Sequence, residues 1–318
     1  MRSNISPTKY YLGIDIGSVT IKVAICDENG KLVESHYLRT HGNPLQALED
    51  VFKKINFKEY SNIAGVGTTG SARQLIGKIV GADVVKNEIT AHTKAVGFLY
   101  PKVRTIIEIG GQDSKLIMLK NGIVSDFAMN TVCAAGTGSF LDQQASRLNM
   151  DVAKMGEISL KSKTKTKITA RCTVFAESDM IQKQQVGVPI ADIFRGLCDS
   201  LAVNYLNNLA KSKKLELPIV FVGGVAANVG IINSFKEILG QEVSVPKEHN
   251  ITGAYGMALL AKKNAGQISN FKGWQITNQK HTARIFDCKG CENNCEITQI
   301  LSDNKIVGHL GSRCQKYV

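Results

Sequence analysis

The chain has 318 residues, of which 43% are hydrophobic and 21% charged, and a formal net charge of +12. This length allows two domains with cores of their own, and the composition is typical of a soluble globular protein. No signal-peptide pattern follows residues 1–4, and the best apolar run, 218–232, is too short to span a membrane. We therefore expect a cytoplasmic protein whose eight cysteines serve thiol, metal or cluster chemistry.

The first part of the chain reads as a strand meander followed by a helix and another strand. In chain order the predicted elements are strands at about 10–17, 20–26 and 31–39, a turn at 28–30, a helix from Pro44 to about Ile55, a strand at 63–67 and a polar turn at 68–70.

The second part repeats this plan and then continues into a long helix. The predicted elements are strands at about 104–109, 114–120 and 123–129, a helix at 139–148, a helix at 190–210, a strand at 219–222, a glycine-rich junction that begins another helix, and two short tail strands around 302–305. The repetition predicts two related α/β domains with the ligand between them. We place their boundaries at 1–100 and 101–264, with a linker and cysteine-rich tail at 265–318.

Positive charge is spread along the chain, with one local run of lysines at 161–167. No aromatic residues alternate with these lysines and no reading helix accompanies them, so nucleic-acid binding is the least favoured interpretation. A solvated loop is favoured, and docking of an acidic protein partner is the main alternative.

Two short segments, 14–18 and 107–114, share one pattern of an apolar strand with an acid and a glycine turn. A shift of 93 positions places Asp15 on Glu108 and Gly17 on Gly110. The glycines let backbone N–H groups approach phosphate oxygens, and the acids can hold a metal ion or position a water molecule. The pair predicts a duplicated phosphate-binding hairpin.

A third glycine-rich element follows the predicted strand 219–222. Gly223 and Gly224 stand at the strand-to-helix junction, with Asn228 four residues further on. Such a junction lets a flat ligand lie against the backbone, so we predict an adenine or ribose contact, although a tight packing turn has the same pattern. The chain lacks the glycine, lysine and serine or threonine pattern of a P-loop.

The cysteines fall into three sets. Cys26 and Cys198 lie in apolar settings and are interpreted as core residues. Cys133 precedes a glycine-rich loop and Cys172 lies outside any Cys-x-x-Cys pair. Two thiolates cannot complete a [4Fe-4S] cluster, but two from each subunit of a symmetric dimer can.

Four further cysteines lie in the tail. They are Cys288, Cys291, Cys295 and Cys314. Their spacing allows a four-thiolate site, and zinc and a second [4Fe-4S] cluster both accept such ligation.

The chain resembles the BadF/BadG/BcrA/BcrD ATPase group, and within it the activator components of 2-hydroxyacyl-CoA dehydratases. The resemblance covers about residues 9–262 and rests on 13–18 with Lys22, on 109–115 and on 221–228. It implies the duplicated actin, Hsc70 and sugar-kinase-like (ASKHA) fold with a nucleotide cleft, plus a small cysteine-rich extension. Glu108 departs from several relatives, which carry Asp there, and the tail is absent from the short activators.

The resemblance also implies an activity. Cys133 and Cys172 fall where the family places the ligands of one [4Fe-4S] cluster that bridges a homodimer, and ATP hydrolysis is coupled to electron delivery. The expected electron donor is ferredoxin or flavodoxin. The expected acceptor is a partner metalloenzyme, namely a 2-hydroxyacyl-CoA dehydratase, a benzoyl-CoA-type reductase or a double-cubane cluster protein.

The predicted site residues have two roles. Asp15, Glu108 and Asp113 are expected to act through Mg²⁺ and the attacking water. ATP or ADP is expected to contact Gly17, Ser18, Thr20, Lys22, Gly110, Gly111, Gln112, Gly136, Thr137, Gly138, Gly223, Gly224 and Asn228.

Two other functions are compatible with parts of this pattern. A small-molecule kinase of the same superfamily, of the N-acetylglucosamine type, needs no iron and has no use for Cys133 or Cys172. An ATP-binding sensor stapled by zinc in the tail is the alternative that is not an enzyme.

Overall fold

The computed structural model describes residues 8–130, 132–264, 268–314 and 316–317. Residues 1–4, on which the expectation about export rests, and 265–267 of the predicted linker lie outside the described residues. The chain divides into two compact units, one formed by residues up to Ala95 together with those from Gly253 onward, the other by Val96–Thr252.

The first unit is built on a five-stranded sheet with the order β3-β2-β1-β4-β5. The first three strands are antiparallel neighbours, whereas β4 and β5 run parallel to β1. Its elements before the second unit are β1 Tyr10–Ile16, β2 Thr20–Cys26, β3 Leu32–Arg39, α1 Pro44–Phe52, β4 Ile63–Thr69, α2 Arg73–Val80, β5 Val84–Val85 and the beginning of α3 Glu88–Leu99.

The second unit repeats this sheet. Its order is β10-β9-β6-β7-β8, with an antiparallel meander of β6, β7 and β8 and two parallel strands, β9 and β10, beside β6. The elements are β6 Thr105–Ile109, β7 Ser114–Lys120, β8 Ile123–Asn130, α4 Gly138–Arg147, α5 Val152–Ser159, α6 Thr173–Gln185, α7 Ile190–Leu209, β9 Ile219–Val222, α8 Val229–Leu239 and β10 Val243–Ser244. The duplicated α/β plan predicted from the sequence is therefore confirmed.

Local sequence explains several boundaries. Asn43 caps α1 by accepting a hydrogen bond from the backbone N–H of Gln46, and proline follows at the first helical position. Asn121 and Gly122 both have positive φ angles, as a two-residue turn between β7 and β8 requires. The predicted polar turn at 68–70 is shorter than expected, because Thr68 and Thr69 are buried residues of β4.

Residues after the second unit return to the first. Helix α9, Thr252–Asn264, precedes a third, antiparallel sheet of β11 His281–Asp287, β12 Glu296–Ser302 and β13 Lys305–Leu310. Ile300 belongs to the same apolar core as Ile14 of β1, and the indole N–H of Trp274 donates to the carbonyl of Tyr60. The tail thus packs into the first unit, whereas the sequence-based division had grouped α9 with the second subdomain and set the tail apart.

Among the described residues, no helix is both long and apolar enough to cross a membrane.

Candidate functional site

The first predicted hairpin joins β1 to β2. The backbone N–H of Gly17 donates to the carbonyl of Thr20 over 2.9 Å and closes the turn. Asp15 lies opposite Lys22 in the strand register, and its carboxylate is 3.1 Å from the Lys22 ammonium. The buried acid is therefore held beside a cation at the mouth of the turn.

The second hairpin, between β6 and β7, repeats these contacts. The Gly110 N–H donates to the Asp113 carbonyl over 3.0 Å, and Glu108 lies opposite Lys115 with a separation of 3.1 Å. Lys115 also donates to the Asp113 carboxylate over 2.8 Å. Its side chain is only 1% exposed, so two carboxylates share one buried ammonium group.

The loop after Cys133 is hydrogen-bonded directly to the second hairpin. The backbone N–H groups of Gly138 and Ser139 donate to the carbonyls of Gly110 and Gly111 over 2.9 and 2.8 Å. The Ser139 hydroxyl adds a bond to the Gly111 carbonyl. The first turn of α4 and the second hairpin consequently form one hydrogen-bonded unit.

Gly223 follows β9 in a conformation that requires glycine. Its φ of +95° lies in the region disfavoured for other residues, and a Cβ there would be 2.2 Å from the Ile109 carbonyl oxygen and 3.0 Å from Glu108 Oε1. The Gly223 N–H donates to the His249 carbonyl over 2.7 Å. The backbone at Gly223 therefore packs directly against the second hairpin. Gly224, in contrast, is exposed.

Asn228 begins helix α8. Its side-chain oxygen accepts hydrogen bonds from the N–H groups of Gly230 and Ile231, at 3.0 and 3.1 Å. A Cβ at Gly156 would lie 2.5 Å from the same oxygen. The structure therefore uses the Asn228 oxygen as a helix cap packed against α5.

The remaining predicted nucleotide residues surround these turns. Gly136 and Thr137 are buried, and the Thr137 hydroxyl donates to the Ala134 carbonyl over 2.8 Å. Ser18 and Gln112 are exposed at the tips of the two hairpins.

Cys133 and Cys172 have similar surroundings. Each is partly exposed and immediately precedes a helical segment, the 3₁₀ turn that leads into α4 for Cys133 and helix α6 for Cys172. Val132 is 95% exposed, and Val174 and Phe175 are also exposed. Both thiols therefore lie at the surface of the second unit beside apolar side chains that solvent reaches.

The buried side chain of Asn204, on α7, contacts both cysteine loops. Its amide group donates to the carbonyls of Ala170 and Arg171, at 2.8 and 3.2 Å, just before Cys172. Its oxygen faces Gly136, where a Cβ would be 3.0 Å away. One side chain thus holds the two loops together.

The next residue of α7 contacts the second hairpin. The hydroxyl of Tyr205 donates to the Lys115 carbonyl over 2.7 Å, and burial raises the pKa of this phenol well above its usual value. Sequence reasoning missed Lys115, Asn204 and Tyr205 as site residues. The signal for Lys115 was present, because the shift that aligns the acids also aligns it with Lys22.

The tail cysteines lie at one end of the third sheet. Cys288 and Cys295 are buried, and the N–H of Cys288 donates to the Cys295 carbonyl over 2.8 Å. The Gly290 N–H approaches the Cys288 sulfur at 3.4 Å. Cys291 and Cys314 are exposed.

These four thiols are not gathered as a metal site. Across the described parts of the chain, no group of three or more histidine, cysteine or acidic side chains is placed to hold an ion. The Lys316 backbone N–H and the Ser312 hydroxyl lower the pKa of the Cys314 thiol. Zinc or a second cluster at these four cysteines stays a prediction of the sequence.

Two units with the same mixed sheet, each with an acidic hairpin, define an actin- and sugar-kinase-like α/β fold. A ROK family glucokinase from Streptomyces griseus has this fold in common with the chain, with a TM-score of 0.50 and 14% identity over 80% of this chain and 99% of that one. The chain belongs to the BadF/BadG/BcrA/BcrD ATPase family, whose model matches residues 12–261.

Two relatives are dehydratase activators. The 2-hydroxyisocaproyl-CoA dehydratase activator of Clostridioides difficile is 36% identical, over 82% of this chain and 99% of the relative. The (R)-2-hydroxyglutaryl-CoA dehydratase activating ATPase of Acidaminococcus fermentans is 34% identical, over 81% and 99%.

Solved structures extend this likeness. The structure of the A. fermentans dehydratase component A has a TM-score of 0.74 and 34% identity, over 80% of this chain and 98% of that chain. The C. difficile activator with bound ADPNP has a TM-score of 0.73 and 36% identity, over 80% and 95%. The predicted family and fold are therefore confirmed, while residues 262–318 lie beyond the family match.

Proposed function

We propose that this protein is an ATP-dependent reductase that passes electrons to a partner metalloenzyme, such as a 2-hydroxyacyl-CoA dehydratase. The proposal rests on family membership and on one structural observation. Hydrogen bonds join the second hairpin to the loop after Cys133 through Gly138 and to helix α7 through Tyr205. Helix α7 in turn holds the loop before Cys172 through hydrogen bonds of Asn204, whose oxygen also packs against Gly136. Nucleotide chemistry and thiol chemistry therefore share one scaffold.

We expect each hairpin turn to bind phosphate through backbone N–H groups. At Gly17 the turn has room for a phosphate oxygen, since a Cβ would meet only the Thr20 carbonyl at 3.7 Å. Carboxylates suit Mg²⁺, and Asp15 and Asp113 are the acids that would hold the ion or its water. Such an ion would neutralise phosphate charge.

The Lys115 ammonium keeps the Asp113 carboxylate in place beside the turn. Asp113 is the more exposed of the two acids that Lys115 contacts, so it is the one positioned to orient an attacking water molecule. Glu108 remains buried and anchors the lysine.

Cys133 and Cys172 fit a surface-bound [4Fe-4S] cluster that a second copy of the chain completes. A cluster needs four ligands, and the second unit of one chain supplies two partly exposed thiols, since its third cysteine, Cys198, is buried. The exposed Val132, Val174 and Phe175 would be covered by the second protomer of a homodimer. When bound, the cluster would carry one electron at a time, and ferredoxin or flavodoxin would be its electron donor.

Hydrogen bonding gives a route from nucleotide to thiol. A change in the Gly110–Gly111 turn on hydrolysis acts on the first turn of α4 through Gly138 and Ser139, because their bonds connect the two directly. It also acts on α7 through Tyr205. The result is a change in exposure of the cysteine loops with nucleotide state.

The experiment is anaerobic purification of the full chain and of Cys133→Ala, Cys172→Ala and the control Cys26→Ala. Cys26 is buried, and desolvation raises its pKa to about 12, so the control removes an inert thiol. We expect one [4Fe-4S] per dimer in the parent and in the control. We expect none in either test variant, together with weaker dimerisation and intact secondary structure.

Iron and zinc are quantified in the same samples. Full iron in both test variants, or an iron-free parent chain, contradicts the bridging cluster. Zinc that persists in every variant would show a separate ion that none of the three changed cysteines holds, without affecting the proposal for Cys133 and Cys172.

A further inference from the structure

The segment that precedes Cys172 lies along one face of helix α7. Four α7 residues at intervals of four, Asp192, Gly196, Ser200 and Asn204, contact successive parts of residues 162–171. Residues four apart share a helix face, and twelve residues of helix span about 18 Å. We call residues 162–171 the strap.

Asp192 fixes the start of the strap. Its carboxylate accepts hydrogen bonds from the hydroxyls of Ser162 and Thr164, at 2.8 and 2.7 Å, and from the backbone N–H groups of Lys163 and Thr164, at 2.8 and 3.2 Å. These bonds, led by that of the Thr164 hydroxyl, lower the pKa of Asp192 to about 2. The strap is therefore fixed at neutral pH.

Close packing continues toward Cys172. A Cβ at Gly196 would be 2.4 Å from the Thr166 carbonyl oxygen, so the backbone lies directly on the helix there. The Ser200 hydroxyl donates to the Thr169 carbonyl over 2.8 Å, and the Thr169 N–H donates to Asp179 over 2.8 Å. The strap ends at the carbonyls that Asn204 holds, beside the thiol of Cys172.

The outer side of this segment is basic. The strap and Lys161, which directly precedes it and is counted with it below, contain four lysines and one arginine and no acidic residue. All five are exposed; they are Lys161, Lys163, Lys165, Lys167 and Arg171. Among the described residues, Lys165 is the member of this set with an ion-pair partner, Glu237, which also pairs with Arg195.

We propose that the strap is the docking surface for an acidic electron-carrying protein that reduces the centre held by Cys133 and Cys172; this inference rests on the proposed function. In that step the carrier loses one electron and the cluster gains it. Fixed charges that lead to the electron acceptor accelerate encounter with a negatively charged partner. Since the backbone is already ordered, docking requires ordering only of side chains.

Charge and composition favour a protein over nucleic acid as the occupant. The strap has no aromatic residue on which a base could stack. Its lysines alternate with serine and threonine residues. The hydroxyls of Ser162 and Thr164 donate hydrogen bonds to Asp192, on the side of the strap that packs against α7. The alternation leaves a narrow row of positive charge that complements an acidic protein face.

The experiment compares the reconstituted full-length parent with the triple variant Lys161→Gln, Lys163→Gln, Lys167→Gln. The control is Lys53→Gln, Lys54→Gln, Lys58→Gln, which removes equal charge from exposed positions of the first unit. The probes are a reduced acidic ferredoxin and, as a small reductant, the methyl viologen radical. Stopped-flow measures cluster reduction over a series of salt concentrations, and anisotropy of labelled ferredoxin measures association.

We expect the strap variant to react with ferredoxin about tenfold more slowly at low salt, with a flatter salt dependence. Reaction with viologen, iron content and ATPase activity stay at parental values. An unchanged ferredoxin rate, or an equal loss in the control, overturns the proposal.

Loss of binding to a labelled oligonucleotide with an unchanged ferredoxin rate overturns it as well, because the strap then serves nucleic acid. An iron-free parent chain counts against the proposed function alone. Anisotropy still decides the docking surface in that case, since association of ferredoxin does not require the cluster.

Discussion

The two glycine hairpins have the same construction but different chemistry. In each, a glycine N–H bonds to the carbonyl three residues on and an acid faces a lysine across the strands, Asp15 with Lys22 and Glu108 with Lys115. The second hairpin differs in having a further carboxylate, Asp113, where the first has Thr20. Its lysine is also 1% exposed, compared with 18% for the first.

This difference indicates that duplication provided the scaffold and that the second copy was specialised. An ammonium group buried between two carboxylates is stable only while all three charges remain, because each compensates the desolvation of the others. The second hairpin also bonds to the first turn of α4, beside Cys133. Reactive charge and contact with the thiol loops are thus concentrated in one copy.

The largest difference between the two hairpins is expected in the stability that the protein loses when the lysine of each is removed. Lys115→Met leaves two carboxylates without their cation and should cost about 3–5 kcal/mol. The thermal midpoint of the second unit should then fall by about 6–20 °C. Lys22→Met removes a partly exposed partner of the buried Asp15 and should cost less, about 1–3 kcal/mol. Circular dichroism melting measures both, and equal midpoints would contradict the specialisation.

The next difference concerns hydrolysis. Asp113→Ala should leave ATP binding largely intact and lower the ATPase rate by about 10²-fold, since charge and water positioning act mainly in the transition state. The matched change Thr20→Ala removes the equivalent side chain of the first hairpin and should alter the rate by less than threefold, about 0.6 kcal/mol. Steady-state assays and calorimetric nucleotide binding separate the two effects. Unchanged turnover in Asp113→Ala would remove that residue from the mechanism.

The hairpins were predictable because their information is local. Short apolar runs that end in glycine predicted the strands, and Asn121 and Gly122 have the positive φ angles that a tight turn between β7 and β8 requires. The aligned acids identified the duplication from sequence alone. The same alignment pairs Lys115 with Lys22, but the bond from Tyr205 to the Lys115 carbonyl joins residues 90 positions apart and has no local signal.

Long-range packing was not predictable from one sequence. Asn204 bonds to the carbonyl of a residue 34 positions earlier, and Trp274 to one 214 positions earlier. No local periodicity encodes such partners. The spacing of Asp192, Gly196, Ser200 and Asn204 was a usable signal, since polar or small residues at intervals of four on a buried helix indicate a packed neighbour.

A smaller effect is expected from glycine substitution. In Gly17→Ala the new methyl group would meet only the Thr20 carbonyl oxygen, at 3.7 Å, so the fold should persist. The methyl group should lower nucleotide affinity several-fold, which corresponds to about 1 kcal/mol. At Gly110 a Cβ would be 3.2 Å from Asp113 Oδ1 and 3.4 Å from Glu108 Oε1. Gly110→Ala should therefore also displace the carboxylates and lower kcat about tenfold. An equal kcat in both variants would contradict this.

The smallest effect is expected when the length of each acidic side chain is changed. Glu108→Asp shortens the side chain by one methylene, about 1.5 Å, and lengthens the 3.1 Å contact with Lys115. Lys115 keeps its bond to Asp113, so the cost should be only about 1 kcal/mol, with a midpoint lowered by about 2–4 °C. The ATPase rate should fall a few-fold, because Lys115 then positions Asp113 less firmly.

The reciprocal change in the first hairpin, which lengthens the acidic side chain, is limited by the space around it. A Cβ at Gly253 would lie 2.5 Å from Asp15 Oδ2, so the acid already fills its space and Asp15→Glu should be overpacked by about 1–3 kcal/mol. Melting curves of Glu108→Asp and Asp15→Glu therefore decide whether each acid is matched to its own hairpin. Parental stability in both variants would mean that the two acids are interchangeable, and Glu108 would then reflect drift instead of the demands of a buried lysine.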